Sequence, residues 1–319
     1  MRFSILKGEF DSPRGYVLFE NKSISDASKN HYLAGQGALI ICAIFWSTSG
    51  LFIKLLDWHP VVIYGVRSSI AAVFMLCVRF FQKPVQKTEN KKYPLWAGAF
   101  AYSFVMLGFV VANKLTTAAN AIMLQYSAPV WAALLGWLLI KEKPRKEHWA
   151  ALVMIFAGFF IFFRDGLTTG AFLGDGVAIL SGIFFGAHSV FMRMQKDANP
   201  ADSMLLSHLI SLVISIPFII IYPPQLSAST VFPIIFMGVI QIGCSSLLYS
   251  FAIKRISAVQ AMLTATIEPL LNPVWVLAIT GEKPTTSALI GGGIILTAVI
   301  VTQLPVIASM IKTRKLADL

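Results

Sequence analysis

The chain has 319 residues, of which 56% are hydrophobic and only 13% are charged. Soluble domains carry roughly 25% charged residues, so this composition argues against a soluble domain and indicates a membrane protein. The formal charge of +11 could indicate a nucleic-acid partner, but the basic residues lie in short loops between apolar runs, where they orient membrane proteins. We therefore expect a lipid bilayer around the chain and no nucleic acid bound to it.

The three cysteines, Cys42, Cys77 and Cys244, all fall inside apolar runs. Their spacing matches neither a disulfide framework nor a metal site. We expect them to be small apolar side chains in packing, and we expect no metal and no cofactor.

Long runs without Asp, Glu, Lys or Arg establish how the chain crosses the bilayer. The longest run covers 203–253, and a helix needs only about 20 apolar residues to cross about 30 Å of hydrocarbon. This run therefore holds two spans, with Tyr222-Pro223-Pro224-Gln225 as the turn between them. The runs lack the alternation of a spanning β-strand, so we predict helices.

Taken in order, the chain begins with a segment, 1–34, that mixes both charge signs and holds Pro13 and Gly15. It lacks the apolar core of a signal peptide, and we predict a loose cytoplasmic tail. Ten transmembrane helices follow, and 309–319 form a second cytoplasmic tail. The predicted helices are 36–55, 61–81, 94–112, 117–140, 147–164, 174–192, 202–222, 232–252, 257–280 and 286–308.

Basic residues predict the orientation of these helices. If the N-terminus lies inside, 21 of the 26 Lys and Arg residues fall in cytoplasmic segments and four fall in outer segments. Short cytoplasmic loops are enriched in positive residues, so this distribution predicts that both termini are cytoplasmic.

One stretch of the chain occurs twice. Residues 113–144 align without a gap on 253–284, and Glu142-Lys143-Pro144 then aligns on Glu282-Lys283-Pro284. A fixed long period indicates a duplicated unit. Earlier positions repeat as well, since Gly35 aligns on Gly174 at an offset of 139.

The duplicated unit is therefore five helices long, with copies at 35–164 and 165–308. Five is an odd number, so the second copy must enter the membrane from the opposite side. Inverted repeats are the architecture of many secondary transporters, because two similar packings that face opposite ways differ little in energy. The sequence thus predicts an all-α membrane protein of two inverted five-helix repeats.

The chain resembles drug/metabolite transporters of the EamA type, with two EamA repeats over about 35–308. The residues that carry the resemblance are Phe45-Trp46-Ser47, Lys54, Pro60, Arg67, Pro129, Glu142 and Gly158 in the first copy, and Ala252 to Ala258, Glu268-Pro269 and Gly281-Glu282 in the second. The resemblance implies a secondary carrier of the bacterial inner membrane, most often an exporter of amino acids or related metabolites. In two places the copies differ, since Phe185 replaces Trp46 and Ser207 replaces Arg67.

Ionisable groups inside the predicted spans mark candidate site residues, because each costs about 2.5–3.5 kcal/mol on insertion scales. These groups are Arg67, Glu268, His188 and His208. Arg67 could hold a substrate carboxylate through its planar fork. Alternatively it pairs permanently with Glu268 or with helix-end carbonyls, or it extends outward to the membrane surface.

Glu268 is predicted to share one helix face with Thr264 and Asn272, because the three recur every four residues. Pro269 leaves the carbonyl of Ala265 without its usual donor. This stripe could form a carrier's central site or a structural cluster of interhelical hydrogen bonds.

Further polar residues interrupt apolar helices and could line a cavity with aromatic walls, or could serve only close helix packing. These candidates are Trp46, Ser47, Tyr102, Tyr126, Gln241, Ser245 and Tyr249. His188 and His208 could relay protons, although a lone histidine is more often packed or hydrogen-bonded. Glu142 and Glu282, beside Lys and Pro in helix-end turns, are interpreted as structural.

We therefore predict a secondary transporter that moves a small metabolite, of zwitterionic or anionic character, by alternating access. An importer or exchanger of another small organic solute is the alternative. A membrane-embedded enzyme would need paired acids or histidines spaced at i and i+4, and the sequence has neither pattern. We expect no enzymatic activity, and the sequence does not define an oligomeric state.

Overall fold

The computed structural model describes residues 13–81, 91–167, 169–280 and 285–315. These residues form fourteen α-helices and no strand, which confirms the predicted all-α class. The helices are α1 (Pro13–Ser47), α2 (Ser49–Lys54), α3 (Pro60–Phe81), α4 (Lys92–Leu115), α5 (Ala118–Gln125), α6 (Ala128–Ile140), α7 (Lys146–Phe163), α8 (Phe172–Arg193), α9 (Ala201–Ile221), α10 (Ala228–Phe236), α11 (Ser245–Ile253), α12 (Ala258–Ala265), α13 (Ile267–Thr280) and α14 (Thr286–Lys315).

The first helix is longer than predicted. α1 begins at Pro13, so the segment 13–34, predicted to be loose, is helical and continuous with the first span. A proline is tolerated in the first helical turn because its missing N–H needs no partner there. Residues 16–34 contain neither Pro nor Gly, so nothing in their backbone ends the helix. Residues 1–12 lie outside the described residues.

Two predicted helices are each broken in the middle, at equivalent positions of the two copies. The first break lies between α5 and α6 at Tyr126, and the second lies between α12 and α13 at Thr266, 140 residues later. Each break precedes a proline by three residues, Pro129 or Pro269. A proline collides with the carbonyl four residues earlier, and the helices end at those residues, Gln125 and Ala265. Each proline therefore ends one helix and lies in the first turn of the next.

Another predicted span, 232–252, contains a widened stretch. α10 passes into a π-helical segment, Met237–Cys244, which leads directly into α11. Gln241 lies in the π-helical segment and Ser245 begins α11, so the two do not share the regular four-residue spacing that the sequence predicts. Such π segments occur frequently at functional sites.

The main packing contacts between helices recur when the two copies are exchanged. α4 packs on α8 as α11 packs on α1, and α4 packs on α9 as the π-helical segment packs on α3. α6 packs on α8, and α13 packs on α1. Equivalent helices also meet in pairs, α3 with α9 and α7 with α14. The two copies are thus related by an approximate two-fold axis.

Matched glycines show this symmetry at atomic scale. A Cβ on Gly35 would lie 2.8 Å from the Cβ of Arg255, and a Cβ on Gly174 would lie 2.6 Å from the carbonyl carbon of Leu115. Gly35 and Gly174 are equivalent at an offset of 139, and Leu115 and Arg255 at 140. Each copy therefore uses this glycine to bring α1 or α8 against the other copy's helix end.

Matched hydrogen bonds repeat the pattern. The Cys42 thiol donates to the carbonyl of Ser245 at 3.5 Å, and the Ser181 hydroxyl donates to the carbonyl of Val105 at 2.9 Å. The two donors, Cys42 and Ser181, are equivalent at an offset of 139, and the two acceptors, Val105 and Ser245, are equivalent at an offset of 140. Cys42 is buried, in the packing role that the sequence predicts.

The outer surface is apolar, as a bilayer requires. Phe80, Phe81 and Phe172 are each more than 80% exposed, and apolar surface on this scale needs a lipid or protein partner. Among the described residues, seven stretches are long and apolar enough to cross a membrane. The protein is therefore an integral multi-pass membrane protein. The predicted spans 36–55, 257–280 and 286–308 are not among the seven, so a total of ten stays a prediction.

Candidate functional site

Unpaired polar atoms are concentrated in the interior between the two copies. Buried polar groups in proteins are normally hydrogen-bonded, and exceptions call for an explanation. Among the described side chains, the buried polar atoms without a hydrogen-bond partner of good geometry are Trp46 Nε1, Arg67 Nε, the Tyr102 hydroxyl, His188 Nε2, Gln241 Oε1, Ser245 Oγ and the Tyr249 hydroxyl. All seven belong to residues that the sequence singles out as candidates.

Aromatic rings link most of these residues into one continuous chain. Ring centroids lie 5.7 Å apart for Trp46 and Tyr249, and 5.6 Å apart for Tyr249 and His188. The chain continues from His188 to Tyr102 at 4.7 Å and from Tyr102 to His208 at 6.0 Å. Its members come from α1, α11, α8, α4 and α9, so both copies contribute.

A further aromatic contact joins equivalent positions of the copies. Trp46 and Phe185, which occupy the same place in the two repeats, meet edge to face with centroids 6.2 Å apart. Phe185 also contacts Tyr126 at 6.5 Å. The approximate two-fold axis therefore passes close to these rings, and the replacement of Trp by Phe makes the site asymmetric.

Arg67 lies on α3 and is buried, so it does not extend to the membrane surface. Its Nη2 donates to the thioether sulfur of Met106 at 3.6 Å, and thioether sulfur is a weak acceptor. Among the described residues no carboxylate lies within ion-pair distance of Arg67. The predicted alternative of a permanent Arg67–Glu268 pair is therefore wrong. Buried guanidinium groups normally have a charged or strongly polar partner.

Tyr102 lies near both ionisable groups, Arg67 and Glu268. It lies close enough to Arg67 and to Glu268 for the charge of each to affect the ionisation of its hydroxyl. Arg67 interacts in the same way with Tyr64 and His208. Arg67 and Glu268 thus belong to one polar interior, although they do not touch each other.

Glu268 lies in the first turn of α13, where a helix N-terminus favours negative charge. Its Oε2 accepts a hydrogen bond of 2.6 Å from the Tyr126 hydroxyl, and it is partly buried. The Tyr126 oxygen also lies 3.4 Å from the carbonyl of Ala265, the last residue of α12. Tyr126 therefore links the break in the first copy to the break in the second.

The predicted stripe of Thr264, Glu268 and Asn272 does not exist as one helix face, because the chain is broken at Thr266. Thr264 lies in the last turn of α12. Its hydroxyl donates to Gln36 Oε1 on α1 at 2.8 Å and is therefore already paired. The side chain of Asn272 lies outside the described part of the structure.

Ser47 is also paired, in contrast to the seven unpartnered groups. Its hydroxyl donates to the carbonyl of Ile44 at 2.7 Å and accepts from Trp275 Nε1 at 2.8 Å. Gln241 donates through Nε2 to the carbonyl of Trp46 at 3.4 Å, which leaves its Oε1 unpartnered. Ser47 therefore connects α1 to α13, and Gln241 connects the π-helical segment to α1.

The two histidines are held differently. His188 Nδ1 lies 2.9 Å from the carbonyl of Gly98 and must donate to it, because a carbonyl only accepts. Its Nε2 is then an acceptor without a donor. His208 Nε2 lies 2.9 Å from the Ser246 hydroxyl. Their predicted part in proton coupling stays a prediction.

Glu142, interpreted from the sequence as structural, braces three helix ends. Its Oε1 accepts from Arg193 Nε at 2.7 Å, and its Oε2 accepts from the backbone N–H of Ala258 at 3.4 Å. Arg193 also donates to the carbonyl of Ile253 at 2.9 Å. The pair thus ties together the ends of α8, α11 and α12. Glu282 lies outside the described residues.

Sequence reasoning missed the serines of α9 and their partners. Ser203, Ser207, Ser211 and Ser215 recur every four residues and are all buried. Ser211 accepts from the Tyr64 hydroxyl at 2.6 Å. The four-residue spacing was a usable signal for a polar face. Met106, in contrast, gives no sequence signal as the partner of Arg67.

Comparison with known proteins gives consistent relatives. An uncharacterized transporter of Bacillus subtilis (strain 168), YwfM, is 23% identical over 266 residues, which covers 79% of this chain and 88% of that protein. An uncharacterized transporter of Archaeoglobus fulgidus is 22% identical over 291 residues, which covers 86% of this chain and 97% of that protein. A solved crystal structure that is 17% identical superposes with a TM-score of 0.74 and covers 87% of this chain and 98% of that one. This last likeness concerns the fold alone.

A family model also matches the chain twice, once in each copy. The model is that of the EamA-like transporter family, and it covers residues 33–164 and 172–304. The two matches together span well over half of the chain. The protein therefore belongs to the EamA-like transporter family and is a membrane transporter.

Proposed function

We propose that this transporter is a secondary carrier that exports a small zwitterionic or anionic metabolite of amino-acid size. In this proposal it lies in a bacterial inner membrane with both termini in the cytoplasm. Its two five-helix copies are inverted with respect to each other and alternate access to a site between them. Importers and exchangers of other small organic solutes share the same architecture and are the alternative.

The observation that carries the proposal is Arg67. A buried guanidinium whose polar contact is a thioether leaves most of its five N–H donors unused. A substrate carboxylate would supply two acceptor oxygens in the fork geometry that arginine prefers. The cost of burying the charge would then be offset only when substrate is bound, as a carrier requires.

Glu268 supports a zwitterion over a simple anion. Among the described side chains it has no basic partner, and its one close donor is the Tyr126 hydroxyl. A substrate ammonium group would be its natural counter-charge. Tyr102, which interacts with both Arg67 and Glu268, would lie beside the substrate between its two charged ends.

The remaining candidates would surround the substrate. Trp46 and Tyr249 provide aromatic surface with an unpartnered N–H or O–H, and Ser245 and Gln241 provide further unpartnered oxygens. His188 and His208 close the aromatic chain at the far side from Trp46. Ser47, Thr264 and Asn272 remain proposed contacts, with Ser47 and Thr264 more firmly tied into helix packing.

Alternating access is supported by the symmetric packing. The main contacts between copies have counterparts when the copies are exchanged, so a state that faces the opposite side can form by exchanging the two local conformations. The surplus of Lys and Arg in the segments predicted to be cytoplasmic supports the inversion. The transporter names of the relatives favour this function over a membrane-embedded enzyme.

Counterflow in sealed liposomes tests the proposal. Purified protein is reconstituted, the liposomes are loaded with an unlabelled solute, and uptake of its labelled form is measured for L-phenylalanine, L-threonine, L-aspartate, glucose and choline, one at a time. We expect saturable counterflow for at least one amino acid and none for glucose or choline. Preference for choline or glucose would remove the substrate assignment, and non-saturable flux would indicate a channel.

A further inference from the structure

The link between the two helix breaks is a single side-chain hydrogen bond. Tyr126, at the break of the first copy, donates to Glu268, two residues beyond the break of the second copy, at 2.6 Å. A hydrogen bond from a phenol to a carboxylate is charge-assisted and roughly twice as strong as one between neutral groups. Its strength therefore depends on whether Glu268 carries its charge.

No basic group stabilises that charge among the described residues. α13 packs on α1, α2 and α14. From α1 the titratable neighbour is Cys42, and the described side chains of α14 include no titratable group. Tyr126 donates to the carboxylate from the α5–α6 break, and Tyr102, on α4, lies within electrostatic range of it. The side chain of Lys54, on α2, lies outside the described part.

These neighbours are neutral acids, so a proton taken up by Glu268 would meet no competing basic group among the described side chains. We propose that Glu268 binds the proton that couples transport, and that its protonation weakens the bond between the two breaks. The inference rests on the proposed carrier function, but the proton site can be tested without any substrate.

The chemistry of the step is a simple proton transfer. The Glu268 carboxylate takes one proton from water and becomes a carboxylic acid, while the Tyr126 hydroxyl keeps its own proton. Tyr126 is then free to donate to the carbonyl of Ala265, from which it is 3.4 Å distant. That bond also joins the two breaks, but both of its groups are neutral, so the charge-assisted part of the attraction between the breaks is lost.

Infrared difference spectroscopy on the purified protein tests the proton site. Spectra are recorded across a pH titration, and the carbonyl band of a protonated carboxylic acid is followed. We expect one band that titrates in the wild type, in His188→Gln and in His208→Gln and is missing from Glu268→Gln, while the bands of the other carboxyl groups remain. Glu142→Gln, at a paired carboxylate outside the candidate site, is the matched control and keeps the band. Spectra of Glu268→Gln that lack none of the wild-type bands overturn the proposal.

A thiol-reactivity experiment tests the weakened bond. A single cysteine is placed at Ser127, inside the first break, in a background without other cysteines. We expect its reaction with a maleimide to accelerate several-fold in both Glu268→Gln and Tyr126→Phe, because each variant removes the charge-assisted bond. Unchanged reactivity in both variants would contradict the link between protonation and the breaks.

Coupling is tested in liposomes with whichever amino acid supports counterflow. If one proton is exchanged per substrate, a gradient of about one pH unit concentrates the amino acid about tenfold in the wild type. In Glu268→Gln we expect residual transport, at whatever rate it proceeds, to show no response to the gradient. A response that survives there, or a loss of response in His188→Gln or His208→Gln alone, assigns the proton elsewhere and overturns the proposal.

Two outcomes separate this inference from the proposed function. If no solute shows saturable counterflow in the wild type, the carrier proposal fails, and the infrared band still decides whether Glu268 binds a proton. If a sodium gradient at equal pH drives accumulation and a pH gradient does not, the carrier stands and the proton assignment is overturned.

Discussion

Arg67 is the residue whose surroundings differ most from those expected of a buried charge. It is 7% exposed, its Nε has no hydrogen-bond partner, and its Nη2 meets a methionine sulfur. Lysine keeps the positive charge but loses the planar fork that binds a carboxylate with two parallel bonds. The shape of the group, separately from its charge, can therefore be tested at this position.

We expect Arg67→Lys to fold and insert normally but to raise the KM for counterflow about tenfold or more, the equivalent of one charge-assisted hydrogen bond of about 1.5–3 kcal/mol. Counterflow kinetics in liposomes measure the change, and size-exclusion chromatography checks the fold. Arg79→Lys is the matched control, since Arg79 pairs with Asp202 at the surface. Equal KM values for the wild type and Arg67→Lys would show that the guanidinium is a packing clamp.

Gly174 shows how a single residue determines the distance between two helices. A Cβ there would lie 2.6 Å from the backbone of Leu115, which cannot move as a flexible side chain would. Gly176, two residues further along the same helix, has nothing within 4 Å of its Cβ position. The pair therefore separates steric contact from the backbone entropy of glycine.

We expect Gly174→Ala to destabilise the protein by about 1–3 kcal/mol, the range for overpacking. Gly176→Ala should be neutral or stabilising by about 0.5–1 kcal/mol, because alanine favours a helix interior. Thermal denaturation in detergent, followed by circular dichroism, measures both. Similar melting temperatures for the two variants would mean that α8 can shift away from α4 at little cost.

Among the helices, the ends of α8, α11 and α12 depend on the ion pair between Glu142 and Arg193. The side chains are 27% and 15% exposed, so the pair is only partly screened by water. It also satisfies the backbone N–H of Ala258 and the carbonyl of Ile253. An ion pair with such backbone contacts couples Glu142 of the first copy to three helix ends of the second copy.

A double-mutant cycle of Glu142→Gln and Arg193→Gln should give a coupling free energy of about 1–2 kcal/mol, within the range for residues in one hydrogen-bond network. The same cycle on Arg164 and Asp165, which lie 3.4 Å apart and are 60% and 57% exposed, should give less than about 0.5 kcal/mol. Chemical denaturation in mixed micelles measures both cycles. Coupling at the first pair no larger than at the second would remove its bracing role.

Across the whole molecule, the duplicated unit explains why contacts occur in matched pairs. The glycines Gly35 and Gly174, the donors Cys42 and Ser181, and the two proline-linked breaks each occupy equivalent places. The charged and polar candidates do not follow this rule, since Arg67 is equivalent to Ser207 and Trp46 to Phe185. The scaffold is symmetric and the candidate site is not.

Inverted copies place equivalent loops on opposite faces of the membrane. We expect a cysteine at Lys143 to be protected from a membrane-impermeant maleimide in intact cells, and one at Lys283 to be labelled. Both are introduced with the native cysteines replaced by serine, and labelling after permeabilisation shows that both are reactive. Labelling of both or neither in intact cells would place the loops on one face and end the case for inversion.

Much of this architecture could be predicted from the sequence, because it depends on local rules. Apolar runs predict helices that cross the bilayer, since hydrocarbon leaves the backbone no other partner. The 140-residue period predicts two copies and, through Pro129 and Pro269, places an irregularity in each. Likewise, the ionisable residues inside the spans include Arg67 and Glu268, and the seven unpartnered groups all belong to the predicted candidates.

Tertiary structure alone decided which groups meet. A proline removes one hydrogen bond and predicts a bend or a break equally well, and the break that separates Thr264 from Glu268 depends on what packs around it. Tyr126 and Glu268 lie 142 residues apart, and Arg67 and Met106 lie 39 residues apart. Sequence periodicity describes the faces of one helix, whereas these contacts form between helices. Their rotation and depth are determined by the packing of all the others.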